Sequence, residues 1–169
     1  MPAPQKEIRN IKRSLSTILW VVGLLSLLVG CSHNIVYEND FSIHKDSWRS
    51  ADTLKFPVNV SDTTTPLSFY FNVRNTTKYS FSNLYMYVTT YYPNNTYSRD
   101  TVECWLAAPD GRWLGKGLGR LKDNEFTFRK NIRMPMKGQY VLAINQAMRH
   151  SPLIGIANVG LRVETQKSN

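Results

Sequence analysis

The sequence predicts an all-β fold: an antiparallel β-sandwich of jelly-roll or immunoglobulin-like type, forming a single domain after a cleaved signal peptide. Three observations predict it. Apolar and polar residues alternate with a period of two through most of the chain from residue 67 onward. Gly, Pro and Asn interrupt that alternation at short intervals, and no window beyond the first 30 residues carries convincing helical periodicity. Seven or eight short strands joined by such turns make a two-sheet structure rather than a helical or α/β one.

The first element is a leader. Lys6, Arg9, Lys12 and Arg13 precede the apolar stretch Ile18 to Val29, and Gly30 and Cys31 close it. Twelve apolar residues fall short of the roughly 20 needed to cross a bilayer. The pattern is instead the export signal of a bacterial lipoprotein, cut after small Gly30 so that the Cys31 thiol carries the lipid. Residues 1–30 are therefore read as signal peptide, 31–50 as the lipidated cysteine and a tether, and 51–166 as the sandwich. The membrane is the first partner this implies, through more than one acyl chain.

Removing the leader takes four of the 21 basic and one of the 12 acidic side chains, which leaves 17 and 11 and a net charge of +6. The basic residues are densest at Arg112, Lys116, Arg120, Lys122, Arg129, Lys130 and Arg133. On an envelope protein such a patch suits anionic lipid, lipopolysaccharide or an acidic protein, or is simply a solvated face, and nucleic acid is not expected. With Cys31 acylated, Cys104 is the one thiol left, so no intramolecular disulfide forms and the core must hold the fold.

Pro57 and Pro66 punctuate a polar stretch up to about residue 65, and Pro57 restricts its strand to a sheet edge. Leu67, Phe69, Phe71 and Val73 alternate with Ser68, Tyr70, Asn72 and Arg74, and Leu84, Met86 and Val88 alternate with Tyr85, Tyr87 and Thr89. Val102, Cys104 and Leu106 continue the pattern, and Pro109-Asp110-Gly111 supplies the turn for a hairpin back through Trp113 and Leu114. Phe126 and Phe128, then Tyr140, Leu142 and Ile144, then Val159, Leu161 and Val163 mark three further strands. Gly115, Gly117 and Gly119 are read as the bare face of a strand, open to close approach or a bulge.

The order and spacing of several motifs resemble a known family. They are Trp48, Asp52 and Phe56; Arg74-Asn75-Thr76-Thr77 with Tyr79 and Asn83-Leu84; Asp100-Thr101; Gly111 through Gly119; Gly138 and Tyr140; Gln146-Ala147-Met148-Arg149; and Leu153-Ile154-Gly155-Ile156 leading to Val159-Gly160-Leu161-Arg162. Together with the leader these resemble the gliding-motility lipoprotein GldH family of the Bacteroidota. The resemblance implies an outer-membrane lipoprotein that supports gliding, in species that glide, through the envelope apparatus linked to type IX secretion, and so implies protein partners there.

Catalytic chemistry finds no support. The Gly111–Gly119 segment has three rather than four residues before Gly115-Lys116, and Gly117 stands where a phosphate loop needs a hydroxyl. No Gly-x-Ser-x-Gly elbow occurs, and His33, His44 and His150 have no metal-site spacing. Asp100 and Glu103, three apart on a strand, point to opposite faces, and Cys104 is in register with core positions. No enzyme, no metal and no cofactor is therefore expected, apart from the covalent lipid.

Two candidate surfaces follow. Trp113, Lys116 and Arg120, with Met148 and Arg149, are candidates for binding a protein partner, an aromatic anchor with surrounding charge. Tyr85, Tyr87 and Tyr91 share one strand face, with Tyr70 on an adjoining strand, and could stack on glycan or lipopolysaccharide sugars, or merely stabilise the sheet as cross-strand pairs. The expected site is thus the outer membrane, lipid-anchored and facing the periplasm.

Overall fold

A computed structural model describes residues 35–165. Gly30, Cys31 and the leader lie outside the described residues, as does His33. Ten strands occur among the described residues: β1 (Ile35–Ser42), β2 (Ser47–Trp48), β3 (Leu54–Val60), β4 (Leu67–Thr76), β5 (Asn83–Tyr91), β6 (Tyr97–Trp105), β7 (Leu121–Ile132), β8 (Gly138–Gln146), β9 (Leu153–Ile154) and β10 (Ile156–Thr165). Eight form two four-stranded antiparallel sheets, in the orders β1-β10-β4-β7 and β3-β8-β5-β6, while β2 pairs with β9. This interleaved order is that of a jelly roll, so the structure selects the first of the two predicted sandwich types.

Each predicted alternation places its apolar set inward. Leu67, Phe69, Phe71 and Val73 of β4, Leu84, Met86 and Val88 of β5, and Val159, Leu161 and Val163 of β10 are all buried in one core. Phe56, Val58, Tyr140 and Ile144 fill it from β3 and β8. Pro57 sits on β3, an edge strand, where its missing N–H costs no ladder bond on the open side.

Three expectations require correction. The tether of residues 31–50 is mostly folded: β1 begins at Ile35 and pairs with β10 through Asn158, and Trp48 is fully buried. Polar composition concealed β1 because an edge strand with one solvated face buries little, as exposed Glu38, Asn39 and Asp40 show. Secondly, the glycines from 111 to 119 lie in a loop with only isolated bridges, Ala107 to Trp113 and Lys116 to Asp123. The Pro109-Asp110-Gly111 turn does form, closed by Ala108 N–H donating to Arg112 O at 2.8 Å, but Gly117 and Gly119 take positive φ of 133° and 67° and prevent strand continuation. Thirdly, Tyr70 belongs to β4, in the sheet opposite β5, and adjoins none of the other three tyrosines.

Register fixes which loops share an end of the sandwich. At one pole lie the start of β1, the end of β10 and loops 61–66, 92–96 and 133–137. At the other, here the distal pole, lie segments 43–53, 77–82, 106–120 and 147–152. The twelve residues of β7 separate the poles by roughly 35 Å. The basic run from Arg112 to Arg133 is therefore two patches, with residues 112–122 at the distal pole and 129–133 at the first.

A clasp closes the distal pole and accounts for several of the motifs. Trp48 pairs with Leu153, its Nε1 donates to Asp52 O at 3.0 Å, and the Gly155 N–H donates to Asp46 O at 2.7 Å. Gly155 has φ of 98°, and a Cβ there would stand 2.6 Å from the Tyr79 backbone nitrogen, so only glycine fits. Buried Asn75 accepts from Asn124 Nδ2 at 2.9 Å, which satisfies polar groups inside the sheet.

Candidate functional site

The distal pole gathers every partner-binding candidate. Trp113 is half-buried against the core, pinned by its bridge to Ala107 and by Leu114 N–H donating to Leu106 O at 2.9 Å. Lys116 exchanges two backbone hydrogen bonds with Asp123, at 2.7 and 2.9 Å, so its position is set while its ammonium stays in solvent. Arg120 lies 3.5 Å from Asp46 and is two-thirds exposed. Gly117 cannot carry a side chain, because a Cβ would meet Leu121 O at 2.6 Å, and Lys122 Nζ donates to Gly117 O at 2.7 Å. The glycine-rich loop is thus a held shape and not a slack linker.

Met148 follows the end of β8. Its Sδ accepts from the Tyr85 N–H at 3.3 Å, and Ala147 N–H donates to Tyr85 O at 2.8 Å. Arg149 is exposed beside it, and Gln146, buried, steadies the turn by accepting from Met148 N–H and donating to His150 O. Residues that sequence reasoning did not single out complete this pole. Leu118 is 98% exposed, and Trp105, Leu114 and Ile154 are each about half exposed. The signal for Leu118 was its place between Gly117 and Gly119, two positions that lift it away from the body.

Tyr85, Tyr87 and Tyr91 do share the outer face of β5, each 37 to 46% exposed. Arg99 stacks over Tyr87 at 4.4 Å, Tyr91 packs on Tyr97 at 6.0 Å, and hydrogen bonding to Glu103 raises the Tyr85 hydroxyl pKa. Tyr70 instead carries Arg162 over its ring at 5.2 Å on the other sheet. That outer face also bears a trough of about 910 Å³, lined by Asp40, Asn72, Arg74, Glu125 and Asn158 and walled by Trp105 and Leu114. Within it Arg74 pairs with Asp123 and Asp40 accepts from Asn158 Nδ2 at 3.1 Å, while Glu125 pairs with Arg162 outside the lining.

Asp100 and Glu103 face opposite ways: Asp100 pairs with Arg129 of the other sheet at 2.9 Å, and Glu103 accepts from Asn83 at 2.6 Å. Among the described residues no three His, Cys, Asp or Glu are grouped to hold a metal ion. Burial, with Glu103 adjacent, pushes the fully enclosed Cys104 thiol up to about 12. The thiolate is therefore scarce at any pH below that value. Native protein at pH 8 should leave Cys104 unmodified by a thiol-specific chromogenic reagent, with stoichiometric reaction on denaturation; rapid native labelling would contradict the burial.

Comparison with known proteins places this geometry. The sequence profile described as GldH lipoprotein matches residues 35–163. A gliding motility lipoprotein GldH homolog of Christiangramia forsetii is 30% identical over 159 residues, covering 90% of this chain and 97% of the relative. The gliding motility lipoprotein GldH of Flavobacterium johnsoniae is 30% identical over 145 residues, covering 82% and 89%. Among solved structures, a non-crystalline cellulose specific carbohydrate-binding module, CBM28, aligns with 78% of this chain and 75% of its own at 10% identity and a TM-score of 0.42, too distant to bear on function. The matched span starts with β1 and ends within β10, so it takes in both sheets, the clasp and the distal loops, and the chain belongs to the GldH family of gliding-motility lipoproteins.

Proposed function

We propose that this protein is a non-enzymatic interaction subunit, lipid-anchored through Cys31 at the outer membrane and facing the periplasm, which supports the gliding and type IX secretion-associated envelope machinery. One observation carries the reading. Two loops distant in sequence, 106–120 and 147–152, meet the same pole with basic side chains and exposed Trp105, Leu114, Leu118 and Ile154, opposite the pole where the chain enters the fold. Exposed apolar side chains of this size, rimmed by charge and held by backbone bonds, are the composition of a protein-binding patch. The lysine and arginines favour a partner with an acidic surface.

The test is a pair of double variants in the native organism. Trp113→Ala with Lys116→Glu should abolish partner capture, since loss of a central aromatic anchor weakens binding by about 30-fold or more. Tyr85→Ala with Tyr87→Ala should leave capture within about threefold of the parent. The reverse pattern would favour the second reading, a glycan- or lipopolysaccharide-binding lipoprotein, for which the exposed row of Tyr85, Tyr87 and Tyr91 is the supporting observation.

A further inference from the structure

The pole opposite the proposed partner surface has its own character. Lys130, Arg133 and Lys137 are exposed there, at the end of β7 and in the following loop. Neither Lys130 nor Lys137 has an acidic partner among the described residues, and Arg133 spends only its Nε, on Thr64 O at 3.0 Å. Of the nearby acids, Glu164 pairs with Arg162 at 2.9 Å, while Asp62, held ionised by hydrogen bonds from the Thr64 and Thr65 side chains and backbone, offsets at most one of the three cations. Tyr97, 68% exposed, and Tyr91, 46% exposed, stand at the same end, where β5 turns into β6.

Chain length decides what this pole faces. Ile35 starts β1 at this pole, four residues after Cys31, and four residues span at most about 14 Å when fully extended. That upper bound is about one and a half Debye lengths of roughly 8 to 10 Å at physiological ionic strength, and a less extended path from Cys31 brings the pole within one, where its charges act on the bilayer surface. Uncompensated cations with tyrosines beside them match an anionic headgroup layer, where tyrosine seats its ring and keeps its hydroxyl wet.

We propose that this pole docks on the anionic phospholipid headgroups of the leaflet that holds the Cys31 lipid, so that the sandwich stands upright and presents its distal pole away from the membrane. The inference rests on the lipoprotein reading of Cys31 and adds to it a fixed orientation. An acyl anchor alone would leave the domain free to tumble on its tether. Docking turns it into a post of roughly 35 Å, the length of β7, with Trp113 and Leu118 at its top.

The experiment uses the full lipidated protein in vesicles of phosphatidylcholine with or without phosphatidylglycerol. A fluorophore is placed at Tyr97→Cys or, as the opposite-pole control, at Leu118→Cys; buried Cys104 and acylated Cys31 do not compete for label. A nitroxide-bearing lipid should quench the probe at 97 several-fold more than that at 118, and only when phosphatidylglycerol is present. Lys130→Glu, Arg133→Glu and Lys137→Glu together should erase the difference while thermal unfolding and vesicle flotation are unchanged. Equal quenching at both positions, or no dependence on phosphatidylglycerol in protein that floats, would overturn the docking pole and leave the anchor standing. Protein that does not float with vesicles would overturn the anchor and the docking pole together.

Discussion

Replacing Trp48 by alanine is expected to destabilise the domain by about 3 to 5 kcal/mol, the range for removing a buried large aromatic. The residue is fully buried and ties three parts of the chain together: it pairs with Leu153 of β9, donates to Asp52 O, and follows the turn whose Asp46 O receives the Gly155 N–H. Alanine would open a cavity beneath the clasp, leave the Asp52 carbonyl with only the long 3.4 Å bond from Asn145 Nδ2, and loosen the segment that holds Arg120 against Asp46. For a domain of this size each kcal/mol is worth roughly 3 °C, so thermal unfolding followed by circular dichroism should shift down by about 10 to 15 °C. A shift below about 3 °C would mean that the clasp is ornamental.

Cys31→Ala should release the protein from the membrane. Each buried methylene contributes about 0.8 kcal/mol, and a single chain gives only marginal binding, so losing all acyl chains removes the whole anchoring term. Flotation of envelopes on a density gradient should move the protein from the membrane band to the soluble fraction or leave it as an uncleaved precursor. Intact mass of the parent should show the leader gone and the acyl mass added to a chain that starts at Cys31. A parent of unmodified mass, or a variant that stays with the membrane at parental levels after processing, would contradict the lipoprotein reading.

Much of the fold was legible because the core strands each bury one face. Phe69, Phe71 and Val73, or Met86 and Val88, announce themselves by alternation, and Pro57 correctly placed its strand at an edge. What stayed hidden has a common cause. β1 is an edge strand with one solvated face and only Tyr37 and Phe41 packed inward, so composition resembled a tether, and Trp48 sits in a two-residue strand too short to show a period. Glycine spacing at 115, 117 and 119 mimicked a strand with a period of two, but the information was in φ, which sequence spacing does not carry. Gly115 is needed because a Cβ would meet Asn124 at 2.7 Å, a contact made by a residue nine positions away.

The candidate surfaces were legible as residue types but not as places. Trp113, Lys116 and Arg120 are separated in sequence from Met148 and Arg149, and only the register of β5 with β6 and β8 puts the two loops on one pole. The same register divides the basic run into two patches with different surroundings, and shows that Tyr70 faces away from the other tyrosines on a different sheet. Long-range pairing of this kind is set by the whole jelly roll and leaves no local trace.

The measurement that bears most directly on the function is affinity capture of the tagged protein from cross-linked envelopes of the native organism, with mass spectrometry of the recovered proteins and of the cross-linked residues. The account predicts recovery of gliding or secretion subunits, with cross-links concentrated on Lys116, Lys122 and the neighbouring distal loops. A preparation free of protein partners but carrying glycan, or cross-links confined to the opposite pole, would contradict it.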